Sequence, residues 1–149
     1  MHIKLKPIGL VRNEFEDTIP HGWRESLSHI IVAEKWSPAL DGLEGFSHLF
    51  ILFWLHRIRE QAPLHVHPQK RQDLPVVGLF ATRTPVRPNP IGLQIVELVS
   101  RKENVLTIRG LDALNESPVL DIKPYLPRGD SIPQARIPHW LEVLWSESE

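Results

Sequence analysis

The sequence predicts an all-β fold, a barrel or sandwich with short helical pieces. Three observations carry this. Six or seven short apolar or β-branched runs are separated by turn residues. Fourteen prolines and few long amphipathic periods argue against a helical bundle. The chain of 149 residues has no internal repeat and no linker, which suits one domain.

The elements follow in order. Ile3 to Val11 alternates loosely and reads as a first strand. Asn13 to Arg24 is polar, contains Pro20 and Gly22, and reads as a loop. Ser28 to Ala33 is β-branched and reads as a strand. Trp36 to Leu43, with Pro38 and Gly42, suits a short helical turn. Leu49 to Leu55 is a continuous apolar run, whose length favours a strand buried on both faces over a core helix. Gln61 to Asp73 is polar and reads as a mobile loop. Val76 to Thr82 and Ile91 to Val99 read as strands. From Asn104 to Gly110, Val105, Thr107 and Arg109 alternate with Leu106 and Ile108, the pattern of a half-buried strand. Val119 to Lys123 is another short strand, and residues 127–149 begin loop-like and end in an aromatic-rich piece, His139 to Trp145.

The stretch from Gly78 to Leu93 is the most informative. Pro85, Pro88 and Pro90 fix φ and remove three backbone donors. Thr84, Arg87 and Asn89 each precede a proline and are driven to extended geometry. The result is a stiff ribbon that presents Arg83, Arg87 and Asn89, two permanently charged forks and an amide, at little further entropic cost. Such groups suit an anionic or heteroaromatic ligand; the alternative is a surface loop whose arginines cap nearby carbonyls.

Composition excludes several chemistries. Net charge is −1, so any nucleic-acid contact rests on a local patch rather than on the total. Basic residues do cluster, as Arg57 and Arg59, Lys70 and Arg71, Arg83 and Arg87, Lys123 and Arg128. There is no cysteine, hence no disulfide and no thiolate metal site. His48, His56, His65 and His67 could ligate a metal, but no carboxylate is woven among them at a recognised zinc spacing. In the bland alternative, His48 is a core histidine and His65 and His67 are solvated. Gly-x-Ser-x-Gly and Gly-x-Gly-x-x-Gly are both missing, so any nucleotide cofactor binds outside a Rossmann frame. No stretch has the length of an apolar membrane span, and the opening residues lack a signal-peptide core, so a soluble cytoplasmic protein is expected. Asp112, Asp121, Lys123 and Tyr125 are chemically capable groups in one short stretch around a turn at Asn115 to Pro118, which taken alone reads as an ordinary hairpin with charged outer positions.

Phe80 to Leu93 and Pro118 to Tyr125 resemble the two signatures of the TsaA-like, or TrmO, family. Leu43 to Leu49, running on to His56, resembles its third, and Ile8 to Arg12 also fits. The resemblance covers residues 3 to 130. It implies a single-sheet β-barrel, a non-Rossmann methyltransferase, a homodimer, and use of S-adenosylmethionine to methylate N6 of threonylcarbamoyladenosine at tRNA position 37. The single-stranded anticodon loop suits an enzyme that reads splayed bases in a pocket. No metal is needed for this transfer.

Carried over by position, the resemblance implies donor contacts from Pro20, His56, Arg57, Arg83, Ile91, Gly92, Leu93 and the turn Asp112, Ala113, Leu114, Asn115, Glu116, Ser117. Arg87, Asn89 and Lys123 are candidates for substrate contact, and Asp121 and Tyr125 for accepting or orienting the N6 proton. The chain departs from the family in three places. Its early loop reads Ile19-Pro-His-Gly-Trp-Arg24 where the family has a Pro-Arg-Gln element. Asn115-Glu-Ser-Pro118 replaces Asp-Gly-Thr-Pro, and Gln94 replaces a small hydroxyl residue. The chain resembles the short form without an extra C-terminal domain; residues 127–149 are expected to be an extension packing on the barrel or on a dimer partner. Two rival readings are a non-catalytic module that binds an adenosyl ligand, which the altered turn allows, and a histidine-based metal-dependent hydrolase.

Overall fold

In the computed structural model, which describes residues 1–147, six antiparallel strands close into a barrel in the order β1 (Gly9–Arg12), β2 (Leu27–Val32), β7 (Val105–Arg109), β6 (Ile91–Lys102), β3 (His48–Trp54), β8 (Pro118–Pro124) and back to β1. This is the all-β, single-sheet barrel expected from the sequence. Closure leaves no sheet edge exposed along the ladder, and a barrel this narrow is filled by its own side chains. Val11, Ile30, Val32, Leu49, Ile51, Phe53, Val96, Leu106, Ile108 and Val119 face inward and are buried. The alternation read in residues 104 to 110 holds, with Leu106 and Ile108 wholly buried.

The run at Leu49 to Leu55 behaves differently from expectation. It is a strand, His48–Trp54, but only one face is core: Leu49, Ile51 and Phe53 are buried, while Phe50, Leu52 and Trp54 are half-buried. The outer row is apolar because it lies in register with Ile95, Leu93 and Ile91 of β6, giving cross-strand apolar pairs. At the inner position opposite Phe53, β6 carries Gly92. A Cβ there would lie 2.4 Å from the Phe53 ring, so the glycine makes room for that ring.

The first strand is shorter than Ile3 to Val11 implied. Pro7 lacks an N–H, and the ladder starts at Gly9, leaving Met1, Ile3 and Leu5 exposed. Strand β6 runs past Val99 to Lys102, with a register shift between Leu98 and Ser100. In β8 the register shifts so that Leu52 faces Asp121 and Phe53 faces Val119. The extra residue, Leu120, inverts the alternation. Without it Asp121 would follow Val119 into the core; with it Ile122 packs on the core and Asp121 takes an outer position.

The barrel forms one compact unit, Met1–Ile58 with Asn89–Tyr125. A second comprises Arg59–Pro88 and the chain from Leu126 onward. It contains a two-residue ladder of β4 (His65–Val66) with β5 (Val77–Gly78), and two helices, α1 (Pro127–Asp130) and α2 (His139–Ser146). The strand expected over Val76 to Thr82 is only β5. A 3-10 turn, Leu79–Ala81, replaces its second half, fixed by Thr82, whose N–H and Oγ1 both donate to the Leu79 carbonyl at 3.1 and 2.7 Å. The polar stretch 61–73 is not featureless, since it supplies β4 and a 3-10 turn, Pro68–Lys70. Arg71 ion-pairs with Asp73 and Glu147, tying residues 59–88 to the C-terminal segment. The aromatic-rich piece at 139–145 is helix α2, with Leu144 buried.

Candidate functional site

Antiparallel closure decides which loops share an end of the barrel. The β1–β2 connection (13–26), the end of β3, the start of β6 and the β7–β8 connection (110–117) all fall at one end. Pro20, His56, Arg57, Ile91, Gly92, Leu93 and Asp112 to Ser117 therefore gather there. The β2–β3 connection (33–47), the β6–β7 turn and the chain after Pro124 lie at the other.

Side-chain hydrogen bonds knit the first end together. Asn13 is its hinge: its amide nitrogen donates to Ser28 Oγ (3.1 Å) and the Ala113 carbonyl (2.9 Å), and its Oδ1 accepts from the Phe15 N–H (2.9 Å). The Asn13 N–H in turn donates to Asn115 Oδ1 at 3.0 Å, and Asn115 Nδ2 donates to Glu16 Oε1 at 2.9 Å. Arg57 reaches the same loop, donating to Asp17 Oδ1 (3.1 Å) and the Glu16 carbonyl (3.0 Å). One loop, 13–17, thus holds both Arg57 and the Asp112–Ser117 turn. Asn13, Glu16 and Asp17 were not singled out in the sequence. Asn13 carries a local signal, an Asx turn to the residue two ahead; the Arg57–Asp17 pair spans 40 residues and carries none.

The Asn115–Pro118 turn has a left-handed corner. Glu116 stands where the family has glycine, and its φ is +68°. That region costs a non-glycine residue about 1–2 kcal/mol. The corner is held by the Glu116 N–H donating to the Val11 carbonyl (2.8 Å), by the Ser117 N–H and Oγ on the Leu114 carbonyl (3.2 and 2.7 Å), and by an exposed Arg12–Glu116 ion pair. Ser117 is buried, as are Ala113 and Leu111. Asp112 keeps solvent access, yet desolvation by its surroundings pushes its carboxyl above the ordinary value of 3.8, with the Arg24 guanidinium opposing the shift. Ile91 and Leu93 are 39 % and 56 % exposed on the outer face of β6. The Leu55 N–H donates to the Pro90 carbonyl (2.8 Å) and the Ile91 N–H to the Asn89 carbonyl (2.7 Å), which fixes where the proline ribbon joins β6. Pro20, exposed, accepts the Trp23 N–H and opens the 3-10 turn His21–Glu25.

Asp121, Lys123 and Tyr125 run away from this end. Asp121 pairs in register with Leu52 and Lys123 with Phe50, and the Tyr125 N–H donates to the His48 carbonyl (3.0 Å). His48 and Trp54 are six residues apart on β3, about 20 Å in a strand. One protomer therefore separates Tyr125 from Ile91 at the start of β6. The Tyr125 ring leans on Phe50, centroids 5.7 Å apart. Asp121 pairs with Lys123 at 2.9 Å and borders an otherwise apolar hollow of about 340 Å³ formed with Ile8, Val32, Trp36, Leu40 and Leu43.

In the second unit the two ribbon arginines part company. Arg87 turns back on its own segment: Nη1 donates to the carbonyls of Thr82 (2.9 Å) and Thr84 (3.1 Å), and the guanidinium lies 5.7 Å from the Phe80 ring centroid. Arg83 is exposed and makes no hydrogen bond or ion pair with any described residue. Elsewhere the basic clusters are largely neutralised, Arg57 by Asp17, Arg71 by Asp73 and Glu147, Lys123 by Asp121. The histidines do not converge. His48 is exposed rather than a core residue, with Nδ1 2.8 Å from Ser47 Oγ, and His67 Nδ1 lies 3.3 Å from the Leu74 carbonyl. No three His, Asp or Glu side chains among the described residues gather around a space for a metal ion. No helix among them is long and apolar enough to cross a membrane.

Comparison with known proteins shows the family. Residues 17–131 match the model of the tRNA-methyltransferase O N-terminal domain. A probable S-adenosyl-L-methionine-binding protein of Methanothermobacter thermautotrophicus is 44 % identical over 136 residues, 89 % of this chain and 96 % of that one. The tRNA (adenine(37)-N6)-methyltransferase of Escherichia coli is 39 % identical over 145 residues, 89 % of this chain but 61 % of its own. The crystal structure of TrmO from Pseudomonas aeruginosa superposes with a TM-score of 0.74 at 31 % identity, covering 91 % of this chain and 62 % of that one. The chain thus spans about three fifths of the TrmO proteins it matches, and with a family model over most of its length it belongs to the tRNA-methyltransferase O family.

Proposed function

We propose that this protein transfers a methyl group from S-adenosylmethionine to N6 of threonylcarbamoyladenosine at tRNA position 37. The observation that carries the reading is the placement of the start of β6 at Ile91–Leu93 at the same end of the barrel as Arg57 and the Asp112–Ser117 turn, the last two held by the 13–17 loop. The residues there fit the donor's chemistry. Exposed Ile91 and Leu93 offer apolar surface to an adenine and Asp112 a carboxylate to an ammonium, while the N–H groups of the Asn115–Ser117 turn are committed to holding the turn itself. Arg83, which makes no hydrogen bond or ion pair with any described residue, is the cation that the proline ribbon itself presents.

The donor, once bound, supplies an electrophilic methyl for in-line displacement. The protein's own task is to align the acceptor nitrogen and exclude water, since positioning provides most of the acceleration in such a transfer. The ureido-like N6 proton needs an acceptor, and Asp121 and Tyr125 are the candidates. Because about 20 Å of β3 separates Tyr125 from the donor end, Tyr125 serves the donor held by a second copy in a homodimer. Arg87 shapes the ribbon, and Asn89 and Lys123 are left to contact the RNA. A cytoplasmic site of action follows from the substrate.

The decisive experiment incubates the protein with methyl-labelled donor and threonylcarbamoylated tRNA and analyses the nucleosides. Label in an N6-methylated threonylcarbamoyladenosine is expected; label retained wholly by the donor overturns the assignment. Light scattering at micromolar protein should give twice the chain mass, and a monomeric mass removes the role given to Tyr125.

A further inference from the structure

Phe80 is 77 % exposed on a segment that is otherwise pinned from every side. The residue before it, Leu79, is buried and donates its N–H to the Leu64 carbonyl at 3.0 Å. Two residues after it, Thr82 closes the 3-10 turn on the Leu79 carbonyl. Arg87 then fastens the ribbon through the carbonyls of Thr82 and Thr84 and places its guanidinium 5.7 Å from the Phe80 centroid. A lone surface phenylalanine needs no explanation. A rigid one, backed by a tethered cation and otherwise open to solvent, is a built feature. The ordering cost of presenting the ring is met in the free protein, which is what a preorganised contact requires.

Charge selects the occupant. Between Asp73 and Glu97 the chain holds Arg83 and Arg87 and no acidic residue, within a protein whose net charge is −1. An aromatic face in a locally cationic, acid-free segment suits a π-system carried on a polyanion. We propose that Phe80 is a stacking platform for an unpaired nucleobase in the RNA loop that bears the methyl acceptor, with Arg87 holding the ring from behind. This makes Phe80 a positioning residue. The proposal rests on the RNA-methyltransferase reading above and adds the group that grips the RNA outside the donor site.

The test measures binding of an anticodon stem-loop RNA by fluorescence anisotropy at fixed salt, for the wild type and for Phe80→Ala, Phe80→Leu and Phe80→Tyr. Stacking on an aromatic side chain accounts for about a 5- to 150-fold change in affinity per base. The alanine and leucine variants should each weaken binding by that factor, while the tyrosine variant stays within about threefold of wild type because it keeps a π-face. The slope of affinity against salt should not change, since no phosphate contact is removed. Donor affinity by calorimetry and the melting temperature should also hold, because the side chain is exposed. The platform is overturned if Phe80→Ala binds like wild type, or if the wild type binds no stem-loop. It is equally overturned if leucine restores binding as well as tyrosine does, which would mark Phe80 as an apolar contact for another protein surface, such as a second copy. Phe80-dependent RNA binding by a wild type that methylates nothing would retire the methyltransferase reading and leave the platform standing. Methylation with Phe80-independent binding would do the reverse.

Discussion

The barrel and the proline ribbon are held by different kinds of force. The barrel rests on apolar burial in alternate residues and on a closed ladder, both spread over many residues. The ribbon at 79–88 buries Leu79 and little else, and depends on Thr82 and on one arginine whose guanidinium meets two carbonyls and a ring. Stability in the first is distributed and tolerant of surface change; in the second it is concentrated and directional. Function follows the same division. Arg83 makes no hydrogen bond or ion pair with any described residue, while Arg87, four residues away, supports the backbone. The two arginines look alike in sequence and stand in opposite surroundings.

The sharpest way to break this contrast is to attack the barrel where it is most buried. Ile51 is wholly buried, opposite Gln94 and Ile122. Ile51→Ala should cost about 2–5 kcal/mol of unfolding free energy through lost burial and the cavity left behind. Denaturant unfolding that shifts by under about 1 kcal/mol would mean the barrel is not the cooperative core. Arg83→Ala should do the opposite: kcat/KM falls by about 10- to 150-fold, equivalent to about 1.5–3 kcal/mol of lost charged hydrogen bonding, while stability stays within about 0.5 kcal/mol. Arg83→Lys should recover only part, lacking the planar fork. A large drop in melting temperature, or near-full activity, would move Arg83 out of the site.

Next in size is Arg87→Ala. It should loosen residues 79–88 by about 1–2 kcal/mol through loss of hydrogen bonds from a charged donor. Hydrogen exchange should accelerate across that segment while β3 and β6 amides keep their protection. Exchange that rises equally in the barrel would show that the two regions unfold as one. Glu116→Gly sharpens the comparison from the other side, since it relieves a strained corner rather than removing a support. Release from φ +68° gains about 1–2 kcal/mol. Greater freedom of the unfolded glycine and loss of an exposed ion pair with Arg12 offset much of that. A net stabilisation of about 0.5 kcal/mol is expected, and a destabilised variant would mean the Arg12 contact outweighs the strain.

The barrel was legible in the sequence because period-two alternation survives in strands with one buried face, as at Leu106 and Ile108. It was less legible where both rows are apolar. Nothing local distinguishes the inner Leu49, Ile51 and Phe53 from the outer Phe50, Leu52 and Trp54; the barrel's curvature does. The bulge at Leu120 was invisible for a related reason, since it shows only against the register of β3. At the site, proline chemistry announced a rigid ribbon but not which arginine it would present. The clamp of Asn13, Glu16 and Asp17 on Arg57 and Asn115 joins residues 40 to 102 positions apart, and no short-range pattern encodes that.

The smallest expected effect concerns Asp112, and its sign discriminates. Its folded-state carboxyl titrates above the ordinary 3.8 because desolvation outweighs the pull of Arg24. A group whose pKa is raised on folding binds more protons in the native than in the unfolded state, so stability falls as pH rises through the window that begins near 3.8. Above that window the carboxylate carries a standing penalty; below it the penalty vanishes. Asp112→Asn removes the titration. The variant should melt slightly above wild type at neutral pH, and the two curves should converge as pH drops below 3.8. Melting temperatures between pH 3 and 7 measure this directly. A difference that is constant across pH, or a variant less stable than wild type at neutral pH, would mean that Asp112 is held by a favourable partner instead. If the penalty is found, Asp112 is held against its own solvation, an arrangement common at functional sites, and under the proposed function donor affinity should fall in the same variant even as stability rises.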